Sequence, residues 1–400
     1  MRVSSSLSRS DSRPAAKFRR DRLTWVLYVV AAWFAYLQAS PGLVLPQLRG
    51  ELDLSYTTGG LHVAAFAAGS TAAGLVSARL ERAVGRRTLL WSAAVLLGAG
   101  VSGLTAGRGP AMTVGSVLVM GIGGGLLLAT IQAALADHHG DRRTVALAEE
   151  NVMASFGYLA LIGVLSLTAA LHLGWRVALL ISLTVPALAW WSNRRLEIPT
   201  PPPTSAQSRG RLPGVFWIAA VMLFCTTAAE WCLTSWGASF TEHAAGVSAN
   251  IAVVLMAAYF AGVMVGRMLG SRLARRYTPT RLLAPALAVA AAGFAILWPS
   301  TTSAQALVGL SLLGLGLGNL FPMAVSVAVA VAPGQAALAS GRAVAMSSFA
   351  VVLAPLTVGT LADTTSLQAA LIVVPVMLVV AAAGLTLVSR VQTRSTHRAS

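Results

Sequence analysis

The chain has 400 residues, of which 56% are hydrophobic and only 10% charged, with a formal net charge of +16. A soluble domain carries about 25% charged residues, so this chain lacks the polar coat that keeps a protein in water, and lipid must be the solvent for most of its surface. The positive charge does not mark a nucleic-acid binder, because the basic residues sit in small clusters between apolar runs, and the absence of a GxxxxGK[ST] phosphate loop argues against ATP-driven transport by this chain alone.

Residues 1–22 are rich in Ser and Arg and predict a disordered basic tail. One bilayer crossing takes about 20 apolar residues, and the remaining chain divides into twelve such runs. The first, 23–45, is too long for a signal-peptide core and lacks a small-x-small cleavage site, so it predicts a retained helix. It carries Phe34, Gln38 and Pro41. The second, 56–78, runs into the basic cluster Arg79, Arg82, Arg86 and Arg87, with Glu81 among them. The third and fourth are 88–106 and 110–135, and the fifth, 148–171, opens on Glu149 and Glu150. The sixth, 175–193, leads into a proline- and arginine-containing stretch, 194–212, predicted as a linker. The seventh, 213–239, carries Thr227 and Glu230, and the eighth, 250–273, ends with Arg267 and Arg272. The ninth and tenth are 281–299 and 303–330, the latter with Asn319. The eleventh, 340–362, opens near Arg342, the twelfth is 367–389, and 390–400 is a short basic tail.

Twelve crossings return both termini to one side. That side collects every arginine cluster, while the other receives only Arg49, Arg108 and Arg176. Basic loops stay in the cytoplasm during insertion, which predicts a multi-pass protein of the cytoplasmic (inner) membrane with both termini inside.

Sliding the chain by 193 residues registers its two halves without a gap. Arg79 falls on Arg272, Arg82 on Arg275, and Gly121, Gly123 and Gly125 on Gly314, Gly316 and Gly318. Met153, Ser155 and Phe156 fall on Met346, Ser348 and Phe349. Six crossings carry the chain back to its starting side, so these are parallel repeats. An all-α membrane fold follows, with one six-helix bundle over 23–193 and a second over 213–389. The glycine triplets follow no strand and complete no GxGxxG, so they predict close helix packing and no dinucleotide site.

The loop Glu81-Arg82-Ala83-Val84-Gly85-Arg86-Arg87 resembles the acidic–Arg–x–Gly–Arg–Arg signature of the major facilitator superfamily, with one extra residue before the glycine. Gly270-Ser271-Arg272-Leu273-Ala274-Arg275-Arg276 resembles the weaker second copy found in that family. Glu230 followed by Trp236 is similar to a Glu-x5-Trp pattern of the sugar- and fucose-permease-like branch. The resemblance covers the chain beyond its first tail and implies two bundles with a substrate site between them and alternating access by rocking. It also implies that the fifth helix abuts the eighth and the eleventh abuts the second. Two marks of the family's drug antiporters are missing: Val117 stands where they carry an arginine, and 153–165 lacks their proline-containing glycine motif.

Ionisable and polar groups inside spanning helices are costly and often functional. Glu230 is foremost, because keeping a carboxylate charged in low dielectric is costly, which suits a proton carrier. Thr227 lies on its face, and Gln38 lies at nearly the matching depth of the other half, since Leu37 maps onto Glu230. Asn319 and Phe34 complete the expected substrate and proton pathway. The alternative for each is helix packing or an interhelical hydrogen bond. A cytoplasmic gate is expected from Glu81, Arg82, Arg86 and Arg87 with Glu149, Glu150, Arg267, Arg272 and Arg342. There Glu149 and Glu150 would face Arg267 and Arg272, and Arg342 would face Glu81. The alternative is that these charges serve only helix dipoles and topology.

The expected function is secondary active transport of a small organic solute, coupled to protons, by a functional monomer in a lipid bilayer. An exporter of hydrophobic compounds and a non-transporting receptor or scaffold on the same fold are the alternatives. Nothing implies an enzyme, a cofactor or a metal. Two cysteines, Cys225 and Cys232, are too few for a metal site or a disulfide framework.

Overall fold

A computed structural model describes residues 19–199 and 211–399; most of the predicted N-terminal tail and linker lies outside them. The described residues form twelve membrane-crossing helices. Eleven continuous stretches are long and apolar enough to span a bilayer, and one of these, Pro110–Ala170, is 61 residues long. A straight helix of that length would reach about 90 Å, three times the hydrocarbon thickness. It is instead two helices, α4 (Pro110–His139) and α5 (Arg143–Ala170), joined by one 3₁₀ turn at Gly140–Arg142. Gly140 supplies the positive φ of 48° that lets the chain double back.

The first half is completed by α1 (Arg22–Leu52), α2 (Tyr56–Val84), α3 (Arg86–Ala106) and α6 (Trp175–Asn193). The second half consists of α7 (Gly214–Ala244), α8 (Ala249–Leu273), α9 (Pro279–Leu297), α10 (Ser303–Ala330), α11 (Ala336–Thr364) and α12 (Leu367–Val391). Several N-termini are closed by side chains, which satisfy backbone donors left over at a helix start. Asp21 caps α1, Ser55 caps α2, Ser248 caps α8 and Thr302 caps α10. Prolines sit inside α1, α9 and α11 without ending them, as neighbouring helices in a membrane allow. Three spans that the sequence predicts as continuous are broken: α6 between Ile181 and Thr184, α10 between Leu317 and Leu320, and α12 between Ala370 and Val373.

The repeat holds down to individual contacts. A β-carbon on Gly121 of α4 would strike the Phe66 carbonyl of α2, and one on Gly314 of α10 would strike the Tyr259 carbonyl of α8. Gly123 meets Leu97 and Ala93 of α3, and Gly316 meets Ala290 and Ala286 of α9. Every partner keeps the 193-residue offset. Each half is therefore built around one glycine-faced helix, α4 or α10, on which two neighbours lie backbone to backbone.

Between the bundles, α5 packs on α8 and α2 on α11, with α1 against α7. On the face away from the N-terminus, the Asp363 carboxylate at the end of α11 accepts from the Tyr56 and Thr57 amides of α2, both at 2.7 Å. Gly42 of α1 lies on the backbone of Thr234 and Ser235, Gly60 on that of Pro355 and Leu356, and Gly359 on that of Tyr56. On the terminal face, where α1 begins, the last turns of α2 are uncovered, with Leu75 80% exposed and Arg79 and Leu80 also exposed. Arg342, Val344 and Ala345 of α11 are exposed as well. The two bundles therefore meet on the opposite face and part on the terminal face.

Candidate functional site

Midway between the bundles, α1 and α5 of the first half face α7 and α8 of the second across a narrow cleft of about 20 Å³, room for a single water. Gln38 enters from α1, Tyr158 from α5, Glu230 from α7 and Arg267 from α8. The Tyr158 hydroxyl donates to Gln38 Oε1 at 2.9 Å. Its ring stacks obliquely across the bundle boundary on Phe260, with centroids 5.0 Å apart. Tyr259 and Thr234 both donate to the Glu230 backbone carbonyl, at 3.2 and 2.9 Å, and so fix that turn of α7.

Glu230 Oε1 stands 3.8 Å from Arg267 Nη2, with both side chains about a fifth exposed. That distance is an ion pair without a hydrogen bond, so both groups keep bonding capacity directed into the cleft. Arg267 also reaches the other bundle, donating from Nη1 to Ser155 Oγ of α5 at 3.3 Å. One guanidinium thus touches a carboxylate of its own half and a hydroxyl of the opposite half.

The cleft brings together Gln38 and Glu230 from the expected pathway and leaves out the rest. Thr227 is buried one turn away, its hydroxyl 3.5 Å from Ser347 of α11. Phe34 packs inside the first bundle against Phe66 and Gly124. Asn319 occupies the break in α10 and wedges against Gly270 of α8. His62 is satisfied locally by the Thr58 carbonyl and the Thr113 hydroxyl. Arg267 and Tyr158 are the cleft residues that sequence reasoning undervalued. Arg267 was readable as an ionisable residue inside the eighth apolar run, and the 193 offset sets it against Gly74, so it is no part of the repeated topology signal.

The expected gate charges are dispersed. Glu81 and Asp137 hold the buried Arg86 at 2.7 and 2.8 Å, and Arg86 also donates to the Pro199 carbonyl, which ties the α2–α3 turn to the end of α4. Arg87 donates to the Arg194 carbonyl, and Arg82 to the Ala78 carbonyl of its own helix. Glu149 takes a two-pronged bond from Arg20, at 2.6 and 2.8 Å, within the first half. Glu150 is buried beside Gln132, with Oε2 unbonded. Arg272 and Arg342 are exposed on the terminal face. In this open arrangement the ion pairs found among the described residues each lie within one bundle.

The family model for the Major Facilitator Superfamily matches residues 24–329 and, separately, 219–400. The chain belongs to this superfamily. Its transporter fold recurs in a bacterial homolog of the human lysosomal transporter Spinster, in an inward-facing and occupied conformation, at 15% identity and a TM-score of 0.72, covering 94% of this chain and 98% of that one. The D-xylose–proton symporter matches at 16% identity and a TM-score of 0.73, covering 92% and 95%. The E. coli fucose:proton symporter matches at 15% identity and 0.63, covering 91% and 98%. Identities this low establish a shared fold and nothing about substrate. No curated protein matches in sequence. As a member of the superfamily the chain is a multi-pass membrane protein of a transporter family.

Proposed function

We propose that the protein is a secondary active transporter that moves a small organic solute across the cytoplasmic membrane by alternating access, coupled to protons. The observation that carries this reading is the cleft between the bundles, where an intramembrane carboxylate and guanidinium stand 3.8 Å apart. Arginine clusters on the terminal face make it the cytoplasmic face, so the arrangement described is open inward.

In this reading Glu230 is the proton carrier and Arg267 its sensor. A proton on Glu230 removes the charge that holds Arg267 to α7. The guanidinium is then free to strengthen its hold on α5, where Ser155 already accepts from it and Glu150 has an unbonded oxygen. Tightening α8 onto α5 closes the cytoplasmic side. Glu149 with Arg272, and Arg342 with Glu81, are further contacts for the closed state, each a partly exposed pair of about 1 kcal/mol or less.

The test begins with a thermal-shift screen of purified protein against sugars, nucleosides, organic acids and drugs, because a ligand of the folded state raises its apparent stability. The best ligand is then offered to proteoliposomes with and without an imposed pH gradient. Gradient-driven accumulation that a protonophore abolishes is the expected result. Accumulation indifferent to the gradient removes the coupling, and extrusion of a hydrophobic compound replaces the reading with that of an exporter.

A further inference from the structure

A second, larger cavity lies on the face opposite the termini, at the far end of the bundle boundary. It measures about 310 Å³, against about 20 Å³ for the central cleft. Three of its walls come from the first bundle: the ends of α1 and α5 and the start of α6. The fourth is the start of α8. Nothing in the proposed cycle uses it.

Its polar atoms are mixed: acceptors stand beside the donors of the Asn250 amide and the His172 imidazole. Gln47 Oε1 is buried with no partner, while its Nε2 reaches Asn250 Oδ1 of the other bundle at only 3.4 Å. The Ser166 hydroxyl spends its hydrogen on the Ile162 carbonyl and offers only lone pairs. Glu51 accepts from Trp175 Nε1 at 2.9 Å and pairs with Arg176 at 2.6 Å. The charge of this carboxylate is therefore already balanced, and His172 is the other titratable side chain in the wall. Leu165, Ala169, Val253 and Trp175 supply apolar wall between the polar groups. Acceptors and donors side by side, a compensated carboxylate and apolar patches fit a neutral molecule whose hydroxyls both donate and accept beside C–H surface.

We propose that this cavity is a second solute site, separate from the central cleft, for a small neutral hydroxyl-rich molecule of monosaccharide or polyol type. The bound molecule bridges the side-chain amides of Gln47 on one bundle and Asn250 on the other. It can be held only while those two helix ends are together, so the site exists in the inward-open form and is pulled apart when this face opens. The inference does not rest on the identity of the transported solute or on proton coupling.

Equilibrium binding of tritiated D-glucose and myo-inositol to the purified protein tests it. Wild type should show saturable binding of at least one probe, and Glu230→Gln, in the central cleft, should keep it. Asn250→Ala should weaken it by up to about tenfold, the upper scale of one lost hydrogen bond. Ala169→Phe, which fills the cavity from a half-buried wall, should abolish it, and Asp363→Asn, which unpins the face, should weaken it. No saturable binding of either probe to wild type overturns the proposal. So does binding that is lost in Glu230→Gln and unaffected by Asn250→Ala. Undiminished affinity in Asp363→Asn overturns the link to closure of the face.

Discussion

Where α8 carries Arg267, the first half has Gly74; where α7 carries Glu230, it has Leu37. Yet Gly121 meets Phe66 just as Gly314 meets Tyr259. The two halves share their backbone packing contact by contact and differ in the charged groups set on it. The glycines and their partners recur because each bundle must solve the same packing problem. The carboxylate and the guanidinium occur once, as the proposed single site between the bundles requires.

The largest effects should come from breaking what the halves share. Gly121→Val and Gly314→Val each press a side chain into a neighbouring backbone, and overpacking of this kind costs about 1–3 kcal/mol or more. Both should lower the melting temperature of the purified protein by similar amounts. A loss confined to one variant would mean that the two glycine-faced helices do not play the same part.

Breaking what differs should spare the fold and stop the coupling. Glu230→Gln should reduce gradient-driven accumulation to the level of empty vesicles while ligand binding by thermal shift persists. Arg267→Gln should behave likewise. Placing the carboxyl in the other half, Leu37→Glu with Glu230→Leu, should not restore accumulation, because the partner position there is Gly74. Recovery in that double variant would show that symmetry-related positions are interchangeable.

The smallest effect separates the two helix starts. Asp21 caps α1, accepting from the Thr24 amide and hydroxyl at 2.9 and 2.6 Å and meeting His138 at 2.7 Å, whereas α7 begins at Pro213 with no side-chain cap. Partial burial pulls the Asp21 carboxyl up, but the hydrogen bonds from Thr24 and His138 outweigh it and hold the group below its ordinary value of 3.8. A carboxyl held low in the folded state stabilises it above the unfolded value and loses that contribution as pH falls through the folded value. Asp21→Ala should cost about 1 kcal/mol near neutral pH. The melting-temperature gap between variant and wild type should shrink as pH drops from about 5 to about 3. A gap that widens on acidification would contradict this sign.

The architecture was legible because lipid leaves little choice: runs of apolar residues, alternating arginine clusters and one constant offset specify twelve crossings in two parallel halves. The breaks in α6 and α10 were not legible, since Ile181–Thr184 and Gly318–Asn319 are no more polar than many intact turns. Glu230 and Gln38 stood out as polar residues within apolar runs. Thr227, Phe34 and Asn319 did not reach the cleft, because a helix that is apolar on all sides does not announce which side faces the other bundle. Arg267 reads as a gate residue in the sequence because it precedes Arg272 by five positions. Near a helix end, little more than one turn separates an arginine that orients the chain from one that reaches a carboxylate in the cleft.

The seam on the opposite face has a further implication. Gly42, Gly60 and Gly359 let main chain rest on main chain there, and Asp363 adds two bonds to uncharged amides. Among the described residues no ion pair crosses the bundles there; the Arg49 guanidinium lies over the Tyr56 ring inside the first bundle. That seam is then held by shape, and ionic strength should leave it almost untouched, in contrast to the terminal-face ion pairs of the proposed closed state, which salt screens within about 10 Å. Thiol labelling of Gln38→Cys, in the cleft wall, from the terminal side, compared in dilute buffer and at high salt, should give one rate. A marked salt dependence would assign the closure to charges instead.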